Sequence, residues 1–131
     1  MFKIVEKSAL NDSVILMSVE APYIANKASA GQFIIFRVDE QGERIPLTIA
    51  DYNRELGTVT IIFQIVGKST LLLSQKNAGD YILDFVGPLG RATEFGNPER
   101  AIVIGGGVGC AIAYPSAKAL HNMGVKVDII A

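Results

Sequence analysis

Apolar and polar residues alternate from Phe2 to Lys7, the period of a half-buried strand. A second strand, rich in Val and Ile, runs from Ser13 to Glu20, and Asn11-Asp12 supplies the turn between the two. Ala21-Pro22 ends it, because proline removes a donor and fixes φ. Gly31-Gln32 opens a third strand, Phe33 to Val38, and Asp39 to Glu43 with Gly42 forms a turn. Arg44 to Ala50 reads as a fourth strand. Its Pro46 cannot donate to a ladder, which places the strand at an edge, a bulge or a barrel opening. The clearest strand is Thr58 to Val66, with Val59, Ile61, Phe63 and Ile65 on one face. Gly67 ends it, and Lys68 to Lys76 has helical composition with Leu71, Leu72 and Leu73 as its apolar mass. Gly79-Asp80 turns into a sixth strand, Tyr81 to Val86. Gly87-Pro88-Leu89-Gly90 reads as a rigid loop and 91–98 as a polar linker. Six short strands at close spacing predict a small antiparallel barrel over residues 1–98.

The pattern changes near Arg100. Ala101 to Ile104 is apolar without alternation, which fits a strand buried on both faces, as in a parallel sheet. It runs into Gly105, Gly106, Gly107, Val108 and Gly109, and Ala111 to Met123 then reads as a helix. Strand, glycine loop and helix start together make a phosphate site, since orphan N–H groups and the helix dipole both favour an anion. The other reading is a tight strand–helix turn without a ligand. Pro115 sits where an N–H is normally bonded, so either the first turn is irregular or the regular helix begins near Pro115. Val125 to Ile130 is a further apolar strand. Residues 99–131 are therefore expected to be the first β-α-β of a Rossmann-like domain, the N-terminal fragment of a longer nucleotide-binding unit.

Composition narrows the class. The chain has 131 residues, half of them apolar, and a formal net charge of -1, so a core is affordable and no polyanion such as nucleic acid is implied as partner. One cysteine excludes a disulfide framework and points to a reducing compartment, hence a cytoplasmic expectation. No segment reads as a signal peptide or approaches the roughly 20 apolar residues of a membrane span.

Two further stretches carry chemistry. In Arg44-Ile45-Pro46-Leu47-Thr48-Ile49, Arg44 and Thr48 share a strand face. Guanidinium suits a pyrophosphate, and a Thr hydroxyl can donate or accept at a ring nitrogen. Alone, this stretch is a surface Arg and an ordinary strand Thr. Gly67-Lys68-Ser69-Thr70, after Val66, lies at a strand-to-helix junction and is either a capped helix start or a second anion site. Cys110, His121 and Tyr52 read as packing or surface residues.

These stretches, in this order and with Gly87-Pro88-Leu89-Gly90, resemble the ferredoxin–NADP reductase superfamily, in which an FAD-binding barrel precedes a pyridine-nucleotide domain. Within it the chain is most similar to electron-transfer subunits of dihydroorotate dehydrogenase B and to the alpha subunit of NADH-dependent ferredoxin:NADP oxidoreductase, also called sulfide dehydrogenase. The resemblance implies FAD and NAD(P)H as cofactors. Arg44 would hold the FAD pyrophosphate, and Thr48 would approach flavin N5 as the residue nearest the hydride step. Pro46, Leu47 and Ile49 would belong to the same wall. Val66, Gly67, Lys68, Ser69 and Thr70 would complete the diphosphate site. Gly105, Gly106, Gly107, Val108 and Gly109 would receive the NAD(P)H pyrophosphate. The superfamily pattern sets the Arg three residues before the hydroxyl and a Pro three after the last glycine; here the first spacing is four and the second position is Ile112.

The implied function is an electron-transfer flavoprotein that passes hydride from NAD(P)H to FAD and electrons on to an iron–sulfur centre. Such subunits carry a [2Fe–2S] cluster on four thiolates near their C-terminus; this chain has one Cys, so the cluster is expected only outside these 131 residues. No metal site is expected within them. The implied partner is an iron–sulfur or flavin-containing subunit. A competing reading is a non-catalytic flavin-binding or subunit-docking module. The apolar strand at 125–130 is also expected either to drive self-association, because an open apolar edge pairs readily, or to leave the chain disordered beyond about Gly105, because two strands under one helix are too few to be stable alone.

Overall fold

The computed structural model describes all 131 residues, Met1–Ala131. The chain runs β1 (Phe2–Ala9), β2 (Val14–Glu20), α1 (Pro22–Lys27), β3 (Phe33–Arg37), β4 (Ile45–Thr48), β5 (Asp51–Asn53), β6 (Thr58–Gln64), α2 (Lys68–Ser74), β7 (Tyr81–Ile82), β8 (Asp84–Leu89), β9 (Arg100–Ile104), α3 (Gly109–Asn122) and β10 (Lys126–Ile130). Residues 1–98 build two antiparallel sheets, one of order β5-β6-β2-β1-β7 and one of order β4-β3-β8. Residues 99–131 build a parallel pair, β10-β9, with α3 as the crossover.

Alternation decides which faces meet. From β6, Val59, Ile61 and Phe63 point inward, and β1 and β2 add Ile4, Met17 and Val19. Ile34 and Phe36 of β3 and Phe85 of β8 answer from the other sheet, and all of these belong to one buried cluster. Ile24 and Ala25 of α1 and Leu73 of α2 close it at its rims. Burying side chains as large as Phe36, Phe63 and Phe85 stabilises by about 1.5–3 kcal/mol each. The first strand also pairs far along the chain. Phe2 and Lys3 face Ile82 and Tyr81, while the Ile4 N–H donates to the Asp80 carbonyl at 2.8 Å.

The strand count differs from the six predicted. The run 44–50 stops at Thr48, and a short β5 follows it. The sixth strand divides into β7 and β8, and β8 runs on through Gly87, Pro88 and Leu89, which are therefore not a loop. Gly87 is required there, because a Cβ would lie 2.8 Å from Ile34 Cγ2 and 3.2 Å from the Phe33 carbonyl. Pro46 and Pro88 sit on the two edge strands of their sheet, where a missing donor costs no ladder bond. Helix α1 starts at the proline expected only to end a strand, and Arg54 donates to the Ala28 carbonyl at its C-terminus at 2.8 Å. Helix α3 begins at Gly109 and carries Pro115, buried, in its interior, so the regular helix does not wait for that proline; its first turn is the irregular part, with Gly109, Cys110 and Ala111 each bonding the third carbonyl back.

The parallel pair is covered on one face only. Ala117 and Leu120 of α3 are buried against it, whereas Ile102, Ile104, Ile129 and Ile130 on the strands stay exposed. No helix is long and apolar enough to cross a membrane.

Candidate functional site

The β6–α2 turn is built around one hydroxyl. Thr70 Oγ1 accepts the N–H groups of Val66 at 2.9 Å and Gly67 at 3.0 Å, and donates to the Gly67 carbonyl at 3.1 Å. Buried and fully used, that hydroxyl shapes the turn and has no capacity left for a ligand. Its consequence is that the N–H groups of Lys68, Ser69 and Thr70 open α2 without an acceptor in the chain. They border a cleft of about 480 Å³, together with Lys68, Ser69, Gly42 and Ile45. Asp39 and Glu43 line the facing wall, so Lys68 is the one cation of that cleft.

A second cleft, of about 380 Å³, shares Ile45, Val66 and Thr70 with the first. Pro46, Leu47 and Thr48 of β4 form one wall, with Ile62, Phe63 and Gln64 of β6 beside them. Val108, Ala111 and Ile112 at the start of α3 form the other. Its lining is mostly apolar, and the Thr48 hydroxyl has no partner within the chain. A slot with apolar walls and one free hydroxyl, continuous with a polar cleft of free N–H groups, suits a ligand with a flat ring at one end and an anionic tail at the other.

The glycine loop forms the far rim. Gly105 closes onto the parallel pair, its N–H bonding the Ile130 carbonyl at 2.9 Å, and a Cβ there would meet Cys110 at 3.0 Å. Gly107 adopts φ +56°, and the N–H groups of Gly106, Gly107 and Val108 have no acceptor in the chain. Gly109, Cys110 and Ala111 turn back onto the carbonyls of Gly106, Gly107 and Val108. Gly107 and Val108 also border a third opening of about 490 Å³, shared with Asn11, Ser13, Gln64 and Tyr114.

Three expected site residues lie elsewhere. Ile49 is buried in the core between the sheets and reaches no cleft. Arg44 is turned outward, its Nη1 3.2 Å from Asp84 Oδ2, which also accepts Arg37 Nε at 2.8 Å. The register explains this: Phe36 faces Ile45, and Arg37 faces Asp84, so Arg44 arrives at the end of the row that Arg37 and Asp84 occupy. Gly105 serves the parallel pair rather than a cleft shared with β4 or α2. Sequence reasoning missed Gln64 and Ile112, which line the slot. The signal for Gln64 was present, as the polar residue ending the outward row of β6.

No family model matches the chain. Individual relatives match broadly: an uncharacterized protein of the adh 3' region of Clostridium beijerinckii is 50% identical over 99% of this chain and 46% of its own length. A Thermotoga maritima homolog of the electron transfer subunit of dihydroorotate dehydrogenase B (NAD(+)) is 42% identical over 98% of this chain and 45% of its own. The solved structure of an NADH-dependent reduced ferredoxin-NADP oxidoreductase superposes with a TM-score of 0.95 at 42% identity, over 98% of this chain and 47% of that one. The chain is homologous to these proteins. It has the ferredoxin-reductase-like fold that they share, and it spans about half the length of the curated relatives it matches.

Proposed function

We propose that this chain is the FAD-binding portion of an electron-transfer flavoprotein that takes hydride from NAD(P)H and passes electrons to an iron–sulfur centre. The two antiparallel sheets serve as the flavin-binding barrel, residues 1–98, and residues 99–131 begin the nucleotide domain. The observation that carries this is the convergence of β4, the β6–α2 turn and the start of α3 on one two-part cleft. Homology to electron-transfer subunits supports the same reading.

The residues fit the cofactor. Lys68 and the free N–H groups of Lys68, Ser69 and Thr70 face the diphosphate, while Val66 and Gly67 hold the turn that presents them. Pro46, Leu47, Val66, Val108 and Ile112 would supply the apolar walls for the ring. Thr48 would offer its free hydroxyl to a ring nitrogen. Arg44 would reach the diphosphate only by leaving Asp84, an exposed pair worth about 0–1 kcal/mol, and Asp84 would keep Arg37. The free N–H groups of Gly106, Gly107 and Val108 await the pyrophosphate of the nicotinamide nucleotide. When bound, the flavin supplies the acceptor for a hydride and releases electrons singly; the chain's part is orientation and tuning.

The electron acceptor is an iron–sulfur or flavin-containing partner subunit, or a cluster borne outside these 131 residues, in a cytoplasmic complex. The exposed isoleucines of β9 and β10 support self-association of this chain in isolation. Fluorescence titration with FAD and FMN tests the cleft. FAD should bind more tightly, because two anion-binding segments suit a diphosphate better than a monophosphate. Failure to bind either would overturn the reading. Rapid mixing of the FAD-loaded chain with NADH and NADPH should show slow bleaching at most, since hydride transfer needs a nicotinamide held in near-attack geometry. A yellow chain that bleaches with neither nucleotide, even within the longer protein, would favour a docking module instead.

A further inference from the structure

One hydrogen-bonded ion pair joins the parallel unit to the antiparallel sheets. Lys118 Nζ of α3 lies 2.6 Å from Asp51 Oδ1, on the first residue of β5. No other hydrogen bond or ion pair links residues 99–131 to residues 1–98. The carboxylate is itself held, because Asp51 Oδ1 also accepts the Tyr52 N–H at 2.9 Å. The Tyr52 ring is in turn covered by Arg54, 5.0 Å from its centroid.

The remaining contacts across the seam are of another kind. Ala111, Tyr114 and Lys118 recur at helical spacing on one face of α3. Ala111 and Tyr114 border openings shared with Ile62 and Gln64 of β6. Openings without a directional bond leave a helix room to slide or roll. A short charge-assisted hydrogen bond fixes distance and direction at once. Lys118 lies seven residues beyond Ala111, about 10 Å along the helix axis, so a small roll at the pair changes how Val108 and Ile112 stand over Thr48.

We propose that Asp51 and Lys118 form a positioning pair that sets helix α3 across the antiparallel sheets and thereby the width of the slot between β4 and the start of α3. The inference rests on the flavin reading only for what the slot holds; the tie itself is independent of any ligand. Cys110 is the chain's single cysteine and lines the seam, so its thiol reports the seam's opening.

The experiment compares Asp51→Asn and Lys118→Met with the parent and with Lys118→Arg, using the full chain. Cys110 should react with an aromatic disulfide reagent about two- to fivefold faster in the two loss variants, the range a partly exposed ion pair supports. Lys118→Arg should react at the parent rate. In FAD-loaded protein, the visible circular dichroism of the flavin should change in the loss variants and be restored in Lys118→Arg, a readout that a merely structural role would not move. Unchanged thiol reactivity would overturn the tie. Faster labelling with an unchanged flavin signal would overturn the positioning role. A parent chain that binds no FAD would overturn the reading of the cleft instead, leaving the labelling rates to judge the tie.

Discussion

Thr70→Val removes one hydroxyl and keeps the side-chain volume. In the parent that hydroxyl satisfies two backbone donors, Val66 and Gly67, and gives its own proton to the Gly67 carbonyl. Val66 and Gly67 are exposed, so water replaces part of what is lost, and the full penalty for stranding buried donors does not apply. Loss of a helix-start hydroxyl costs about 0.5–2 kcal/mol, and a second donor raises the expectation to about 1–2 kcal/mol. For a chain of this length that is a fall in melting temperature of roughly 4–8 °C. Thermal unfolding followed by far-ultraviolet circular dichroism reads it directly. Thr70→Ser keeps the oxygen and should lose clearly less. FAD affinity should fall in the valine variant as well, because the turn that aims the free N–H groups of α2 is loosened. A valine variant that melts with the parent would refute the claim that this hydroxyl shapes the turn.

Arg44→Ala should weaken FAD by about 1.5–3 kcal/mol, the scale of a hydrogen bond to a charged group, as read by fluorescence titration; equal affinity would leave Arg44 to its pair with Asp84. Gly31→Ala should destabilise the chain by more than about 1 kcal/mol in chemical denaturation, because Gly31 holds φ +93° and a Cβ would lie 2.1 Å from Thr93 Oγ1. The hydrogen bond to Asp51 raises the Lys118 pKa above its ordinary value, against the opposing effect of burial. A raised folded-state pKa gives stability that is complete below the unfolded value of about 10.4 and is lost as pH climbs through the folded one. Denaturation measured from pH 9 upward should therefore show a decline in the parent that flattens in Lys118→Met and shrinks with added salt.

Strict alternation made the inner strands legible: Val59, Ile61 and Phe63 are buried in the structure as their spacing predicts. Pro46 correctly announced an edge. Helix α1 escaped because six residues hold less than two turns, too few for a period to show, and because Pro22 reads equally as a strand's end and a helix's first residue. The extension of β8 through Gly87-Pro88 escaped because turn-forming residues look alike whether they bend the chain or let another strand come close. Of the site, the order of the segments was readable, and Thr48, Lys68 and Val108 do line one two-part cleft. The direction of Arg44 was not, since it depends on Asp84, forty residues away on another strand.

The pairing of β1 with β7 also bears on how the chain comes off the ribosome. Residues 2 and 3 meet partners at 82 and 81, so one side of β1 stays unpaired until about eighty further residues have been made. At 5–20 residues per second that interval is about 4–16 s, long compared with the microseconds in which the β1–β2 hairpin can form. During it the nascent chain carries an open strand edge, the kind that recruits neighbouring polypeptides. Final closure is therefore a late and long-range event. Chaperone dependence during synthesis should fall sharply for nascent chains long enough to have released Ile82, and not before.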